Sequence, residues 1–219
     1  MKTDLQLSHL EVVPGQQGRV SIDITNNADV IDGVTAIVDG INPDWIKLER
    51  PLLSLFPEAT DTLDLTIDIP TTCPAGDYLV VARVVSTIDA ERQTVHDFWL
   101  TVTPVADLEL ELTPTIVTGG SRATLDVTVT NTGNTTAEVT IDALEPTREV
   151  DCTAEPSSIV IAQDSNAVVE IEMRGSRPWF GDPVTRSIII SARADDVVVE
   201  KTATFRQKPK IARGLLTAL

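Results

Sequence analysis

Apolar and polar residues alternate along most of this chain, and turn residues break the alternation at roughly 8–12 positions. A period of two marks strands with one buried and one solvated face. Leu5, Leu7, Leu10 and Val12 predict an opening strand, closed by Pro14-Gly15. Val20, Ile22 and Ile24 face one way against Ser21, Asp23 and Thr25, and Asn26-Asn27-Ala28-Asp29 makes the next turn. Val34, Ala36 and Val38 follow, closed by Asp39-Gly40, then a short strand near Leu52 to Phe56, then Leu63, Leu65, Ile67 and Ile69. Tyr78 to Val85 is nearly all apolar, which predicts a central strand buried on both sides. His96, Phe98, Leu100 and Val102 complete a set of about seven strands. No stretch of helical length shows a 3.6-residue period, so the chain is all-β.

The pattern then repeats. At an offset of 105 residues Ile24-Thr25-Asn26 returns as Val129-Thr130-Asn131, Val34-Thr35 as Val139-Thr140, and Gly76-Asp77 as Gly181-Asp182. Leu108, Leu110 and Leu112 open the second copy. Ile188 to Ile190 takes the place of the buried central strand, and Asp195-Asp196 makes a hairpin tip. A spacing near 100 residues is too long for a solenoid unit and suits a small sandwich used twice. The expected architecture is two tandem immunoglobulin-like antiparallel β-sandwiches of seven or eight strands, at 1–105 and 106–206, followed by a basic tail at 207–219. Ile24 and Val129 should occupy equivalent core sites. The link from Val102 to Asp107 is short and holds Pro104, which predicts a stiff two-domain rod.

The run Val127-Thr128-Val129-Thr130-Asn131-Thr132-Gly133, followed by polar residues and the strand at Val139, resembles bacterial immunoglobulin-like modules. The cell-adhesion-related domain and the domain accompanying bacterial α-galactosidases are such modules. Pro74-Ala75-Gly76-Asp77-Tyr78 before an apolar strand is similar to their second signature, whereas Asn26-Asn27-Ala28-Asp29 lacks the glycine. The whole chain is also similar to actinobacterial membrane proteins loosely labelled "hydrolytic", in which such tandems sit beside a membrane span. The resemblance implies a fold and a membrane neighbour, and its label implies hydrolysis.

The residues give that label no support. The two histidines, His9 and His96, lie in strands of the first copy, and no Gly-x-Ser-x-Gly, His-Glu-x-x-His or phosphate-cradling loop is present. Asp29 with Asp32, and Asp195 with Asp196, offer two carboxylates each, fewer than a calcium loop requires. Turn aspartates more commonly bond nearby backbone. No metal or cofactor is expected. Cys73 and Cys152 fall in different copies at non-equivalent positions, so neither has a partner for an intradomain bridge.

Charge separates the tail from the rest. The net charge is −16, made of −10 in residues 1–105, −10 in 106–205, and +4 at the end from Arg206, Lys208, Lys210 and Arg213. Two acidic domains repel a phosphate backbone, which argues against nucleic acid as a partner. The apolar run after Arg213 is too short to span a bilayer and reads as the start of a truncated transmembrane helix or as a solubilising tail. On the first alternative, the positive-inside rule puts the domains at the cytoplasmic face of a membrane. Trp45 is expected to plug the first core, and Trp99, on the face opposite Phe98, to lie at the surface or between the domains. The loop Arg177-Pro178-Trp179-Phe180 joins cations to adjacent aromatics, the composition of an interface hot spot, and Arg177, Trp179 and Phe180 are the candidate binding residues. The reading is a non-catalytic, membrane-anchored module that presents a rigid rod to a protein partner. An extracellular adhesion or carbohydrate-binding tandem is the alternative, and a hydrolase comes last.

Overall fold

The computed structural model describes residues 1–212, and the chain divides into two compact units, Met1–Val105 and Ala106–Leu219. The first unit contains β1 (Lys2–Leu5), β2 (His9–Val12), β3 (Gln17–Thr25), β4 (Asp32–Asp39), a 3-10 turn (Pro43–Trp45), β5 (Ile46–Leu48), β6 (Leu53–Leu55), β7 (Thr60–Asp68), β8 (Gly76–Ser86) and β9 (Gln93–Val102). One sheet runs β1-β3-β7-β5 and the other β2-β9-β8-β4-β6. This is an immunoglobulin-like sandwich with an added strand on the second sheet. Gly40 follows β4 with φ 100°, where a Cβ would run into the Leu79 carbonyl, so the Asp39-Gly40 turn needs its glycine.

The second unit repeats the plan. It contains β10 (Leu108–Thr113), β11 (Ile116–Gly119), β12 (Arg122–Asn131), β13 (Ala137–Leu144), β14 (Val150–Glu155), β15 (Ser158–Ile161) and β16 (Asn166–Gly175). After these come β17 (Phe180–Gly181), β18 (Val184–Ala194), β19 (Val197–Gln207) and β20 (Ile211–Ala212). The sheets run β10-β12-β16-β14 and β11-β19-β18-β13-β15, with β17 and β20 as a separate ribbon. Ile24 and Val129 are both fully buried on the core side of β3 and β12. The tight β18–β19 hairpin turns through Asp195 in the left-handed region, at φ 48°.

Several expectations need correction. Each opening strand is split in two. β1 and β10 pair antiparallel in one sheet, while β2 and β11 cross to the other and pair parallel with β9 and β19. With the short edge strands β5 and β14 this gives nine strands per sandwich, not seven or eight. The central strands are buried on one face only. Val80, Ala82 and Val84 are buried, but Leu79, on the outer face of that sheet, is 44% exposed. Trp45 is half-buried in the 3-10 turn at the rim of the core, not in its centre.

The 105-residue repeat is also not gapless in space. Ile37 faces Arg83 as Asp142 faces Ser191, which sets β18 three residues beyond the offset. β16 lies one residue beyond it, and β19 returns to it. Gly76 opens β8 whereas Gly181 closes β17, so that match is not a structural equivalence. The loop between β16 and β18 is therefore longer than its counterpart in the first sandwich.

Candidate functional site

That longer loop is the Arg177–Phe180 segment, and the last described residues fold onto it. The segment expected to leave β19 as a tail instead turns back. Gln207 is fully buried at the end of β19, Pro209 is buried, and Ile211–Ala212 pairs parallel with Phe180–Gly181. Lys208 N donates to Gly119 O at 2.7 Å, Lys210 N to Pro178 O at 2.8 Å, and Ile211 N to Trp179 O at 3.0 Å. Arg177 clamps the junction, its Nε donating to Lys208 O at 3.0 Å and its Nη2 to Pro209 O at 2.9 Å. Beneath it, Gln207 Nε2 donates to Ser176 O at 3.2 Å and Gln207 Oε1 accepts from Arg186 Nε at 3.3 Å. Arg186 also pairs with Glu149 at 2.5 Å. Sequence reading missed Gln207 and Arg186, because a buried glutamine at a strand end looks like any polar residue near a turn.

Of the candidate residues, Arg177 is a structural clamp and the aromatics are the exposed part. Phe180 lies opposite Ile211 across the ribbon, so their side chains share one face. Trp179 and Lys210, one position earlier, share the other, with Lys210 Nζ 4.1 Å from the Trp179 ring centroid. Trp179 is 71% exposed and Phe180 57%. Beside them opens a cleft of about 870 Å³ whose charged lining residues are Arg177, Arg186 and Lys210. Arg206 and Lys208 are also exposed at this end, while Arg213 lies outside the described residues.

A second surface has no counterpart among the sequence candidates. It is the outer face of the sheet β2-β9-β8-β4-β6. Ile37, Leu79, Val95 and Trp99 stand on it, each more than two-fifths exposed, and Val85 is half-buried among them. Pairing places Ile37, Arg83 and Val95 in one row and Leu79 beside Trp99 in another. The structurally equivalent positions of the second sandwich carry Asp142 for Ile37, Ser187 for Leu79, Arg193 for Val85, Glu200 for Val95 and Thr204 for Trp99. The exchange runs the other way at Gln93 and Val198, and at Asp39 and Leu144. Among the described residues each face therefore exposes four large apolar residues, at different positions: Ile37, Leu79, Val95 and Trp99 in the first sandwich, and Ile116, Leu144, Val160 and Val198 in the second. Trp99 faces outward as the alternation implies.

Chemistry elsewhere is structural. His96 Nε2 lies 2.6 Å from Thr3 Oγ1, and His9 is exposed on β2. Burial and the nearby Glu145 push the Cys152 thiol up to about 11, far from the range of a reactive thiolate. Cys73 is buried beside Tyr78, whose hydroxyl donates to Pro74 O at 2.8 Å and is pushed up to about 12 by burial and by Cys73. Asp29 is exposed, whereas Asp32 is buried and accepts from Ser86 Oγ at 2.7 Å, so those two carboxylates do not converge. Among the described residues no three His, Cys, Asp or Glu side chains gather as a metal site requires. Among the same residues no helix is long and apolar enough to cross a membrane.

No family model matches the chain, and no curated protein matches it. Solved structures with a similar fold include a protein of unknown function from Porphyromonas gingivalis W83, 14% identical with a TM-score of 0.34, over 93% of this chain and 99% of that one. The E. coli chaperone DraB is 14% identical with a TM-score of 0.34, over 95% and 97%. Domains 4 and 5 of the S-layer protein SbsC are 17% identical with a TM-score of 0.35, over 84% and 73%. Likenesses this distant carry no argument about function. The immunoglobulin-like fold stands on the strand orders themselves, and the resemblance to bacterial adhesion-type modules rests on the motif residues alone.

Proposed function

We propose that this chain is a non-catalytic protein-recognition module that reads its partner through the outer face of the five-stranded sheet in the first sandwich. The observation that carries the reading is the cross-strand pair Leu79–Trp99, an aliphatic and an aromatic side chain exposed side by side on that face. Both sandwiches need the inner face for their core, and Leu79 and Trp99 put adjacent apolar area in water where the second sandwich carries Ser187 and Thr204. Exposed aromatic and aliphatic side chains with an arginine among them, on an otherwise acidic surface, are the composition of an interface. Among the described residues the histidines and thiols sit apart, with His96 beside Thr3, His9 exposed and Cys73 buried beside Tyr78. The reading also places the C-terminal side beside the cytoplasmic face of a membrane, supported by the cations Arg206, Lys208, Lys210 and Arg213.

The second sandwich supplies the test. Ile37→Asp, Val95→Glu and Trp99→Thr each install the residue that the equivalent sheet position already tolerates. The triple variant should keep its circular dichroism and its melting behaviour, and should lose proteins that the wild type captures by cross-linking. A Thr202→Asp variant, on the same face of the second sandwich, should capture them unchanged. Equal capture by the triple variant and the wild type would refute the reading.

A further inference from the structure

We propose that the ribbon formed by Trp179–Gly181 and Lys210–Ala212 is a contact for the surface of an anionic bilayer. Its geometry is the first reason. Trp179 and Lys210 occupy one face and Phe180 and Ile211 the other, and Trp179, Phe180 and Ile211 are 71%, 57% and 44% exposed. A protein partner covers one face of a two-stranded ribbon. A bilayer interface surrounds it, and tryptophan and phenylalanine flanked by lysine and arginine are the residues such an interface accepts on all sides.

Charge is the second reason. Arg177, Arg206, Lys208 and Lys210 cluster around the ribbon, while the remainder of that sandwich is strongly acidic. An anionic surface therefore attracts this end of the second sandwich and repels its remainder, which orients that sandwich with the ribbon toward the lipid. Each basic residue near such a surface adds about 1 kcal/mol of attraction, screened by salt. The third reason is order. The Arg177 clamp and the amides of Lys210 and Ile211 hold the aromatics in place before any contact, so binding loses little conformational freedom. The equivalent loop of the first sandwich has none of these features. It is shorter, and its cysteine, Cys73, is buried.

The site belongs to the second sandwich and shares no residue with the outer sheet face of the first. It rests on the membrane placement proposed above and not on that face, so the protein-recognition reading and this one can fail separately. The experiment is co-sedimentation of the full chain with phosphatidylcholine vesicles, alone and with about 30% phosphatidylglycerol. Binding to the anionic vesicles at low salt is expected, with loss at high salt and on the neutral vesicles. Trp179→Ser with Phe180→Ser should weaken it at least about tenfold. Trp99→Thr should leave it unchanged. A second measurement avoids any folding defect in the double variant. Brominated lipid should quench part of the wild-type tryptophan emission, and that part should disappear in Trp179→Phe. The proposal is overturned if the wild type does not sediment with anionic vesicles, if the double variant binds as the wild type does, or if brominated lipid quenches Trp179→Phe and wild type alike. Retention of the chain by an acidic soluble protein but by no vesicle would also overturn it, and would make the ribbon a protein contact.

Discussion

Asn26 and Asn131 do the same work in the two sandwiches. Each is almost fully buried at the end of the second long strand. Asn131 Nδ2 donates to Thr135 O at 2.7 Å and Ile161 O at 3.0 Å, and its Oδ1 accepts from Gly133 N at 3.1 Å. Asn26 repeats the arrangement with Val30 O, Leu55 O and Ala28 N. The amide thus closes a turn and ties it to β6 or β15. Asn131→Ala should cost about 2–3 kcal/mol in urea unfolding, because buried carbonyls lose their donors. A loss below about 0.5 kcal/mol, the range of an ordinary surface substitution, would show that the amide is not needed. The repeat exposed this residue in the sequence, and alternation puts it on the core face after Leu125, Val127 and Val129, but neither signal shows which carbonyls its amide would bind.

A different polar pair gives a pH signature. Arg50 binds Asp61 through two hydrogen bonds of 2.8 and 2.9 Å, and with the Thr62 amide holds its carboxyl down at about 2. A folded carboxyl below its unfolded value contributes stability above the unfolded range, near pH 4, and loses it as pH falls through about 2. The pair is exposed, so solvent screening keeps its contribution small. Arg50→Ala should lower stability slightly at neutral pH and flatten its decline between about pH 4 and pH 2, so that variant and wild type converge at the acid end. An identical acid limb in wild type and variant would remove the pair as its source.

At the scale of elements, the long strands were legible and the short ones were not. β3, β7, β12 and β16 alternate over nine or ten residues, enough for a period of two to stand out. β5 and β17 have three residues and two, too few to show a period. The split of the opening strand depends on which sheet edge is open, and no local pattern encodes that. The apolar outer face was legible in principle. Comparing what differs between the copies at outward positions, such as Val95 with Glu200 and Trp99 with Thr204, points to it, whereas comparing what they share finds only the fold. The ribbon depends on contacts between residues about 30 apart, Arg177 reaching Lys208 and Pro209, and sequence spacing carries no trace of them. Arg177→Ala should therefore release the returning segment locally. Hydrogen exchange at the Lys210 and Ile211 amides, which donate to Pro178 O and Trp179 O, should accelerate while the β18–β19 ladder stays protected. Acceleration throughout that ladder would mean that the clamp supports the sandwich rather than the ribbon.

Over the whole molecule the decisive fact is that the two cores share no residue. The first buried cluster lies within Val12–Val102 and the second within Leu108–Phe205. Each contains the inner faces of both of its own sheets, so each sandwich carries a complete hydrophobic driving force. Ile24 and Val129 stand at matching depth in these cores, and truncating either leaves a cavity of similar kind. Ile24→Ala should destabilise the first sandwich by about 2–4 kcal/mol, and Val129→Ala, which removes less, should fall at the lower end of that range for the second. Native-state hydrogen exchange reads the two separately. Ile24→Ala should lower the protection of amides in β3, β7 and β8 and leave β12, β16 and β18 unchanged, and Val129→Ala should do the reverse. If either substitution lowered protection in both sets by the same free energy, the chain would unfold as one cooperative unit and the two cores would not be independent.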